Sequence, residues 1–507
     1  MQTRLGSILA ALVLNSAPAV VCAQSIYRIE GFPAPQVRPQ ALTGELEGQL
    51  GDLRRDFDLR SKGMTLDQAL ESGLLNNPQL AAAYAEIQGQ QWNLIAVRRQ
   101  WYPTLSASSG PFVPGRSFSS SSDTSRDEAL PLLVESSGNS ASTATNIGLT
   151  VGWTFFDPSR GPSINAASEN LKRQQLLFDV SARNLVLEIQ QAYYSLQEQK
   201  LLIEAYGEIL RITVRQVKET EVQFNNGLVN IADVEQIRTQ QYATLNTLIA
   251  AYRQFADASA RLAQVTAQPP GSLVLPSDGL QALGDWPDPL QSTIEQALNL
   301  REEIKVSLAS AASARWSATA LFNTYWPRFS VGANGQYGES NTDRTLSGQQ
   351  ASVTTNNRST NWNGGFGLGF TWQFFDGGIN AAQAEAQKDL GKQASDQAAL
   401  DRLNVTREVE QAYAAYRTSQ LAMKSSEAQV TSARAAAVAV RARFEVGVSD
   451  MSSLVVALNQ AINAANNYAS SVKDYNSSVA ALFRSSARWP ASTQPLLNQR
   501  VSSLRKQ

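Results

Sequence analysis

The chain has 507 residues, with 43 basic side chains against 44 acidic ones, no histidine and a single cysteine, Cys22. Balanced charge offers no field for nucleic acid or for an anionic lipid surface. The missing histidine removes the commonest general base and metal ligand, and the lone cysteine all but removes thiol and disulfide chemistry, so neither cofactor nor metal site is expected.

Residues 1–23 read as a cleaved secretory signal. Arg4 gives the basic start, Ile8 to Leu14 the apolar run, and Val21 and Ala23 the small residues before Gln24. The run is far shorter than the ~20 residues of a transmembrane helix. Val21 is bulkier than the residue a lipoprotein signal carries before its cysteine, which leaves lipidation at Cys22 as the lesser alternative. Residues 24–63, rich in Pro, Gly and charge, are expected to form a poorly ordered extension. No later stretch has 18 consecutive apolar residues, so any membrane contact must come from strands.

A first structural repeat is expected over 64–268. Thr65 caps a short helix that Asn76-Asn77-Pro78 ends, and a second helix runs to about Arg99 before Pro103 stops it. A weak strand at about 104–118 contains Pro111 and Pro114. A Ser/Thr-rich loop, 117–146, leads to a strand in which Ile147, Leu149, Val151, Trp153 and Phe155 oppose Asn146, Gly148, Thr150, Gly152 and Thr154. Asp157 can cap the next helix, with Pro158 and Gly161 making the bend. From Ser163 to Asn225 there is no proline, which allows roughly 95 Å of helix. Ile189, Tyr193, Leu196, Ile203, Leu210, Val214, Val217 and Phe224 form one coiled-coil seam, and Leu202, Tyr206 and Ile209 a second beside it. Two seams let one helix pack on both sides, as a ring of helices needs. The turn FNNGLVNIADV at 224–234 then opens a second helix from Glu235 to Thr266.

A Pro/Gly-rich linker, 269–290, is expected to wrap the helices, and the second repeat, 291–488, follows the same order. Thr293 to Leu298 matches Thr65 to Leu70, and Tyr325-Trp326-Pro327 matches Trp101-Tyr102-Pro103. Phe329, Val331, Ala333 and Tyr337 alternate with Ser330, Gly332, Asn334 and Gln336. A polar loop, 341–360, precedes a strand at 362–374, where Trp362, Phe366, Leu368, Phe370, Trp372 and Phe374 share one face. Asp376, Gly377 and Gly378 turn into a helical stretch, 379–445, and the turn FEVGVSDMSSL occupies 444–454. The tail, 489–507, reads as poorly ordered. Strands close to the ~9–11 residues that cross a bilayer, with Trp101, Trp153, Trp326 and Trp372 at their helix-side ends, favour a membrane barrel with an interfacial girdle over a soluble sheet. The carboxylate pairs Asp127-Glu128 and Glu302-Glu303 read as solvated or as helix-dipole partners, and no catalytic constellation is found.

Strands inside each repeat, long paired helices and Phe224-Asn225-Asn226-Gly227-Leu228-Val229-Asn230-Ile231-Ala232-Asp233-Val234, answered by Phe444-Glu445-Val446-Gly447-Val448, resemble the TolC family of outer-membrane efflux and secretion channels. The resemblance covers about residues 64–488. It implies a mainly α fold with a membrane β-barrel: four strands per chain in a trimeric twelve-stranded barrel, continued by a long α-helical barrel. It also implies location in the outer membrane, reaching into the periplasm. The function implied is a passive exit duct of a tripartite efflux pump or type I secretion system, with no enzyme activity. The partners implied are two further copies of the chain, a periplasmic adaptor, an inner-membrane pump of the ABC or RND type and outer-membrane lipid, with no nucleic acid. Gly227, Leu228, Val229, Gly447 and Val448 correspond to adaptor-docking tips, and Asp233 matches an acidic position of the family's periplasmic gate, for which Asp450, from a different place, and Phe444 are the further candidates. The second turn departs from the family, which often has tyrosine where Phe444 stands, a basic residue where Ser449 stands, and acids where Ser453 and Val456 stand. A structural coiled-coil spacer anchored in the outer membrane is the alternative reading.

Overall fold

The computed structural model describes residues 39–126, 133–347, 352–491 and 493–506. The chain divides into two compact units, Met1–Ser61 and Lys62–Gln507. The described part of the first unit is a helix, α1 (Pro39–Arg60). Its surface carries the ion pairs Arg55–Asp52 and Arg60–Asp56, one turn apart. The expected disorder of 24–63 therefore gives way to a helix once the prolines end at Pro39: Leu46, Leu50, Leu53 and Phe57 keep a helical spacing. Residues 1–38, including the expected signal segment 1–23 and Cys22, lie outside the described residues, as does Asp127-Glu128.

The second unit passes twice through one order of elements. The first pass is α2 (Leu66–Asn76), α3 (Pro78–Arg99), β2 (Thr104–Arg126), β3 (Leu133–Phe156), α4 (Arg160–Asn225) and α5 (Ile231–Val265). The second is α6 (Leu290–Leu300), α7 (Glu302–Phe322), β5 (Arg328–Ser347), β6 (Ser352–Thr371), α8 (Ile379–Glu445) and α9 (Met451–Ser485). The long helices α4 and α8 have 66 and 67 residues, about 100 Å each at ~1.5 Å per residue.

Local chemistry sets the boundaries. Thr65 and Gln68 form a reciprocal box: Gln68 N–H donates to Thr65 Oγ1 at 3.3 Å, and Thr65 N–H to Gln68 Oε1 at 3.0 Å. Asn77 Oδ1 accepts from Gln79 N–H at 2.8 Å and starts α3, whose first residue is Pro78. Asp376 accepts from the backbone N–H groups of Gly378 and Asn380 ahead of α8, while Asp157 accepts from Ser159 N–H ahead of α4. Both seams of α4 are used. Ile189, Tyr193, Leu196, Leu210 and Val217 are buried, and so are Leu202, Tyr206 and Ile209. Phe224, at the tip, is 39 % exposed. By contrast α8 leaves Leu390, Leu400, Leu403, Leu421 and Val438 exposed.

The main sheet is four-stranded and antiparallel, in the order β2-β3-β5-β6. Its register puts Leu105, Val151, Ala333 and Phe366 in one row, and Ser106, Thr150, Asn334 and Gly365 in the next. Apolar residues therefore share one face and small or polar residues the other. Three differences from the sequence reading concern this sheet. The polar stretches 117–146 and 341–360 are largely strand, not loop: hydroxyl-rich rows continue the ladder, as where Thr342 Oγ1 donates to Ser142 Oγ at 3.2 Å. The first strand runs on to Arg126, past a register shift between Gly110 and Gly115 that absorbs the prolines. The last strand stops at Thr371, so Trp372 and Phe374 follow it in extended chain without strand pairing.

The linker between the passes is structured. β1 (Ser61–Met64) pairs with β4 (Leu273–Pro276), and Trp286 is buried beside Tyr416, Tyr475, Val479 and Leu482. Tyr193 donates towards Asp278 Oδ2 and Met64 O, 3.1 Å each. Tyr475 donates to Asp285 Oδ1 at 3.0 Å, and Asn476 spans Leu283 N–H and Gln281 O. The linker is thus laced to α4 on one side and to α9 on the other. A last helix, α10 (Thr493–Lys506), runs through the tail that reads as poorly ordered. Leu497, Val501 and Leu504 share its face, and Leu497 is buried. Among the described residues no helix is long and apolar enough to cross a membrane.

Candidate functional site

Two regions carry the residues singled out in the sequence: the helix tips and the apolar face of the sheet.

At the tips, α4 and α8 end in the same backbone geometry. Gly227 has φ +72° and Gly447 φ +73°, the left-handed region in which a side chain is strained. In the first turn Leu228 N–H donates to Gln223 O and Gly227 N–H to Phe224 O, both at 2.9 Å. In the second, Val448 N–H donates to Arg443 O and Gly447 N–H to Phe444 O, again at 2.9 Å. These paired bonds satisfy carbonyls that a helix end leaves open. They also turn the next side chain outwards: Leu228 and Val448 are each 74 % exposed, and Val446 is exposed beside them. Val229 is half-buried.

The acidic residues of the turns are helix caps. Asn230 Oδ1 accepts from Asp233 N–H at 3.0 Å, and Asp233 Oδ2 accepts from Asn230 N–H at 3.1 Å, a closed box at the start of α5. Asp450 Oδ1 accepts from Ser453 N–H at 2.8 Å at the start of α9, and the hydrogen bonds from Ser453 hold its carboxyl below the usual range. Phe444 is buried with Ile209, Val217, Ile237, Met451 and Leu454 in an apolar cluster behind the tips. The structure thus brings Phe444 into the packing between hairpins and leaves Asp233 and Asp450 at the surface turns.

The sequence reading passed over the polar links between helices at this end. Arg238 joins Glu221 of α4 to Glu235 of α5, at 2.6 and 2.5 Å. Arg441 of α8 reaches Glu219 of α4 at 3.8 Å. Gln240 and Asn459 exchange amide hydrogen bonds between α5 and α9, at 3.0 and 3.2 Å. Arg238 and Glu235 are one turn apart on α5 and Glu221 lies just across the tip, whereas Arg441–Glu219 and Gln240–Asn459 join residues more than 200 positions apart, which only the offset between two aligned helices could have hinted at.

On the sheet, the apolar face is open to its surroundings: Phe366 is 91 % exposed, and Leu105, Ile147, Trp362, Leu368 and Phe370 are exposed with it. Burying a Leu or Phe side chain gains ~1.5–3 kcal/mol, so a face this size is unstable in water. The four tryptophans expected to form the girdle, Trp101, Trp153, Trp326 and Trp372, lie at its helix-side border and are exposed. Trp153 donates its indole N–H to Trp101 O at 2.8 Å, and Trp372 to Tyr325 O at 2.9 Å. The guanidinium of Arg160 sits over the Trp101 ring, 4.4 Å from its centre. The opposite face is largely Gly, Ser, Thr, Asn and Gln, with Arg328 and Arg344 among them, a wettable surface.

Comparison with known proteins agrees with this architecture. Residues 69–268 and 293–488 match the model of a family described as outer membrane efflux protein. Outer membrane protein TolC of Escherichia coli (strain K12) is 23 % identical over 356 residues, covering 65 % of this chain and 71 % of that protein. Among solved structures, the outer-membrane channel OprN superposes with a TM-score of 0.63 at 18 % identity, over 85 % of this chain and 94 % of that one. The Campylobacter jejuni CmeC outer membrane channel gives 0.66 at 16 %, over 86 % and 89 %. The Neisseria gonorrhoeae MtrE outer membrane channel, solved in its open state, gives 0.61 at 16 %, over 83 % and 89 %.

Proposed function

The chain belongs to the outer membrane efflux protein family, and we propose that three copies of it close a twelve-stranded barrel continued by a helical tunnel. It is an outer-membrane protein and an exit duct for efflux. The observation that carries the three-copy reading is the open sheet. Four strands present a whole apolar face and end in two edges, β2 and β6, whose outer sides pair with no strand among the described residues. In lipid an unpaired backbone edge is costly, and closure into a barrel removes it. The exposed leucines of α8 support the same reading, because a helix with an uncovered seam needs a neighbour that the described residues do not supply.

The polar sheet face then lines water, and the tryptophans border the lipid as an interfacial girdle. Leu228, Val229 and Val448, lifted by Gly227 and Gly447, dock the hairpins of a periplasmic adaptor, which couples the duct to an inner-membrane pump of the ABC or RND type. Asp233 and Asp450 present carboxylates at the periplasmic mouth and set its preference for cations, while Phe444 anchors the helices that open it. The test is direct. Protein extracted in detergent should run as a trimer in light-scattering chromatography and conduct ions in planar bilayers. Trimers that never conduct would instead favour a structural spacer. Leu228→Asp with Val448→Asp should keep the trimer and its conductance but abolish efflux in cells, and retained efflux would remove the docking role.

A further inference from the structure

We infer the strand register of the seam between neighbouring copies: β6 of one copy pairs antiparallel with β2 of the next so that Thr371 faces Ser108 and Trp372 faces Ala107. This rests on the three-copy barrel proposed above and gives its partner surface residue by residue.

The argument starts from a mismatch between the two passes. Trp153-Thr154-Phe155-Phe156-Asp157 recurs as Trp372-Gln373-Phe374-Phe375-Asp376. In the first pass this stretch belongs to β3 and pairs with β5: Trp153 faces Val331, Thr154 faces Ser330 and, after a one-residue shift, Phe156 faces Phe329. In the second pass the same stretch follows the end of β6 and has no strand partner among the described residues. What it lacks is a strand equivalent to β5. In the first pass that strand is β2, where Pro103-Thr104-Leu105-Ser106-Ala107 stands for Pro327-Arg328-Phe329-Ser330-Val331.

Two observations fix this correspondence independently of the missing seam. The hairpin β2–β3 pairs Thr104 with Gly152, and the hairpin β5–β6 pairs Arg328 with Thr371, so equivalent residues meet in both hairpins. The indole of Trp153 bonds to Trp101 O, and the indole of Trp372 to Tyr325 O, again equivalent atoms. Carrying the β3–β5 register over on that footing puts Trp372 opposite Ala107, Gln373 opposite Ser106, and Phe375 opposite Leu105. The faces agree with the pleat: Trp372 and Ala107 point to the apolar side, Thr371 and Ser108 to the polar side. A slip of one residue would turn every apolar side chain of the seam inwards, so only slips of two compete.

The chain's only cysteine, Cys22, falls in the expected signal segment, so the cross-linking background is a chain carrying Cys22→Ser. Directly opposed residues of an antiparallel pair hold Cβ atoms ~4.5–5.5 Å apart, close to disulfide reach. The full-length chain carrying Ser108→Cys and Thr371→Cys should form inter-subunit disulfides on oxidation, seen as dimer and trimer bands in denaturing gels without reductant. Ser106→Cys with Gln373→Cys, on the same side, should do the same. Ser106→Cys with Thr371→Cys, slipped by two, should link at less than a tenth of that yield. Each single variant should stay monomeric in the gel. Preferential linking of the slipped pair would overturn the register. Detergent trimers that link in neither matched pair would overturn the β6–β2 seam. Wild-type protein that is not a trimer would instead overturn the three-copy barrel itself.

Discussion

Arg183 holds Glu302 with two guanidinium nitrogens, Nε at 3.1 and 3.0 Å from its two carboxylate oxygens and Nη2 at 2.9 Å. The pair bridges α4 and α7, with side chains only 8 % and 12 % exposed. The Trp489 ring closes over the guanidinium at 4.0 Å, and Arg183 Nη1 donates to Arg488 O. A forked, stacked geometry of this kind suits arginine and not lysine.

Removing the arginine should therefore cost more than the pair itself contributes. Arg183→Met leaves Glu302 buried without its partner, and a loss of about 3–5 kcal/mol is expected. Arg183→Lys keeps the charge but not the fork and should fall between. Arg183→Met with Glu302→Met should recover most of the loss. Thermal unfolding of the detergent-solubilised protein, followed by far-ultraviolet circular dichroism, checks the order. A double variant no better than Arg183→Met would refute the account.

Asp179, one turn before Arg183 on α4, is pushed up to about 6, first by burial and then by the Glu302 charge, against the lowering effect of Arg183 and Lys305. Its folded value lies above its unfolded value of 3.8. Between the two the folded chain binds the extra proton, so stability falls as pH rises through that window. Asp179→Asn should stabilise the protein above pH 6 by about 1–2 kcal/mol, after discounting for partial exposure. The gain should shrink on acidification and disappear near pH 4. Unfolding midpoints of both forms between pH 4 and 8 test this, and a gap independent of pH would contradict it.

What could be read in the sequence follows from how local each feature is. The helix stretch 379–445 and the cap at Thr65 depend on neighbours within a turn or two, and the structure has both. The positive φ of Gly227 and Gly447 follows from the turns themselves. Strand length did not, because Ser and Thr read as loop until their cross-strand partners are known, and rows such as Thr342–Ser142 join residues far apart in the chain. Arg183–Glu302 and Arg441–Glu219 were invisible for the same reason. Glu302-Glu303, read as solvated or dipole-paired, is tied up in ion pairs with Arg183, Arg301 and Arg484. The order of α10 needed α2 as its neighbour, which the tail alone does not reveal.

Gly227→Ala and Gly447→Ala isolate backbone strain from packing. A methyl group at either position meets nothing within 4 Å, so the cost comes only from the left-handed φ. About 1–2 kcal/mol per site is expected. Because the two turns are far apart in sequence but share one geometry, the two penalties should match. A fall in unfolding midpoint at one site only would mean that the turns are held differently.

The carboxylate of Asp233 does two jobs that substitution can separate. It accepts from Asn230 N–H in the capping box, and it carries a negative charge at the tip. Asparagine can still accept that bond through its amide oxygen, so Asp233→Asn removes the charge and keeps the cap. Alanine removes both, with about 1 kcal/mol lost at the start of α5. If the carboxylate selects cations at the periplasmic mouth, Asp233→Asn should move the reversal potential of single channels in a salt gradient towards zero without lowering the unfolding midpoint, and Asp233→Ala should do both. Asp450→Asn, which likewise keeps an acceptor for Ser453 N–H, should add to the shift. A reversal potential unchanged in Asp233→Asn but altered in Asp233→Ala would assign the effect to the helix cap and remove the charge from the gate.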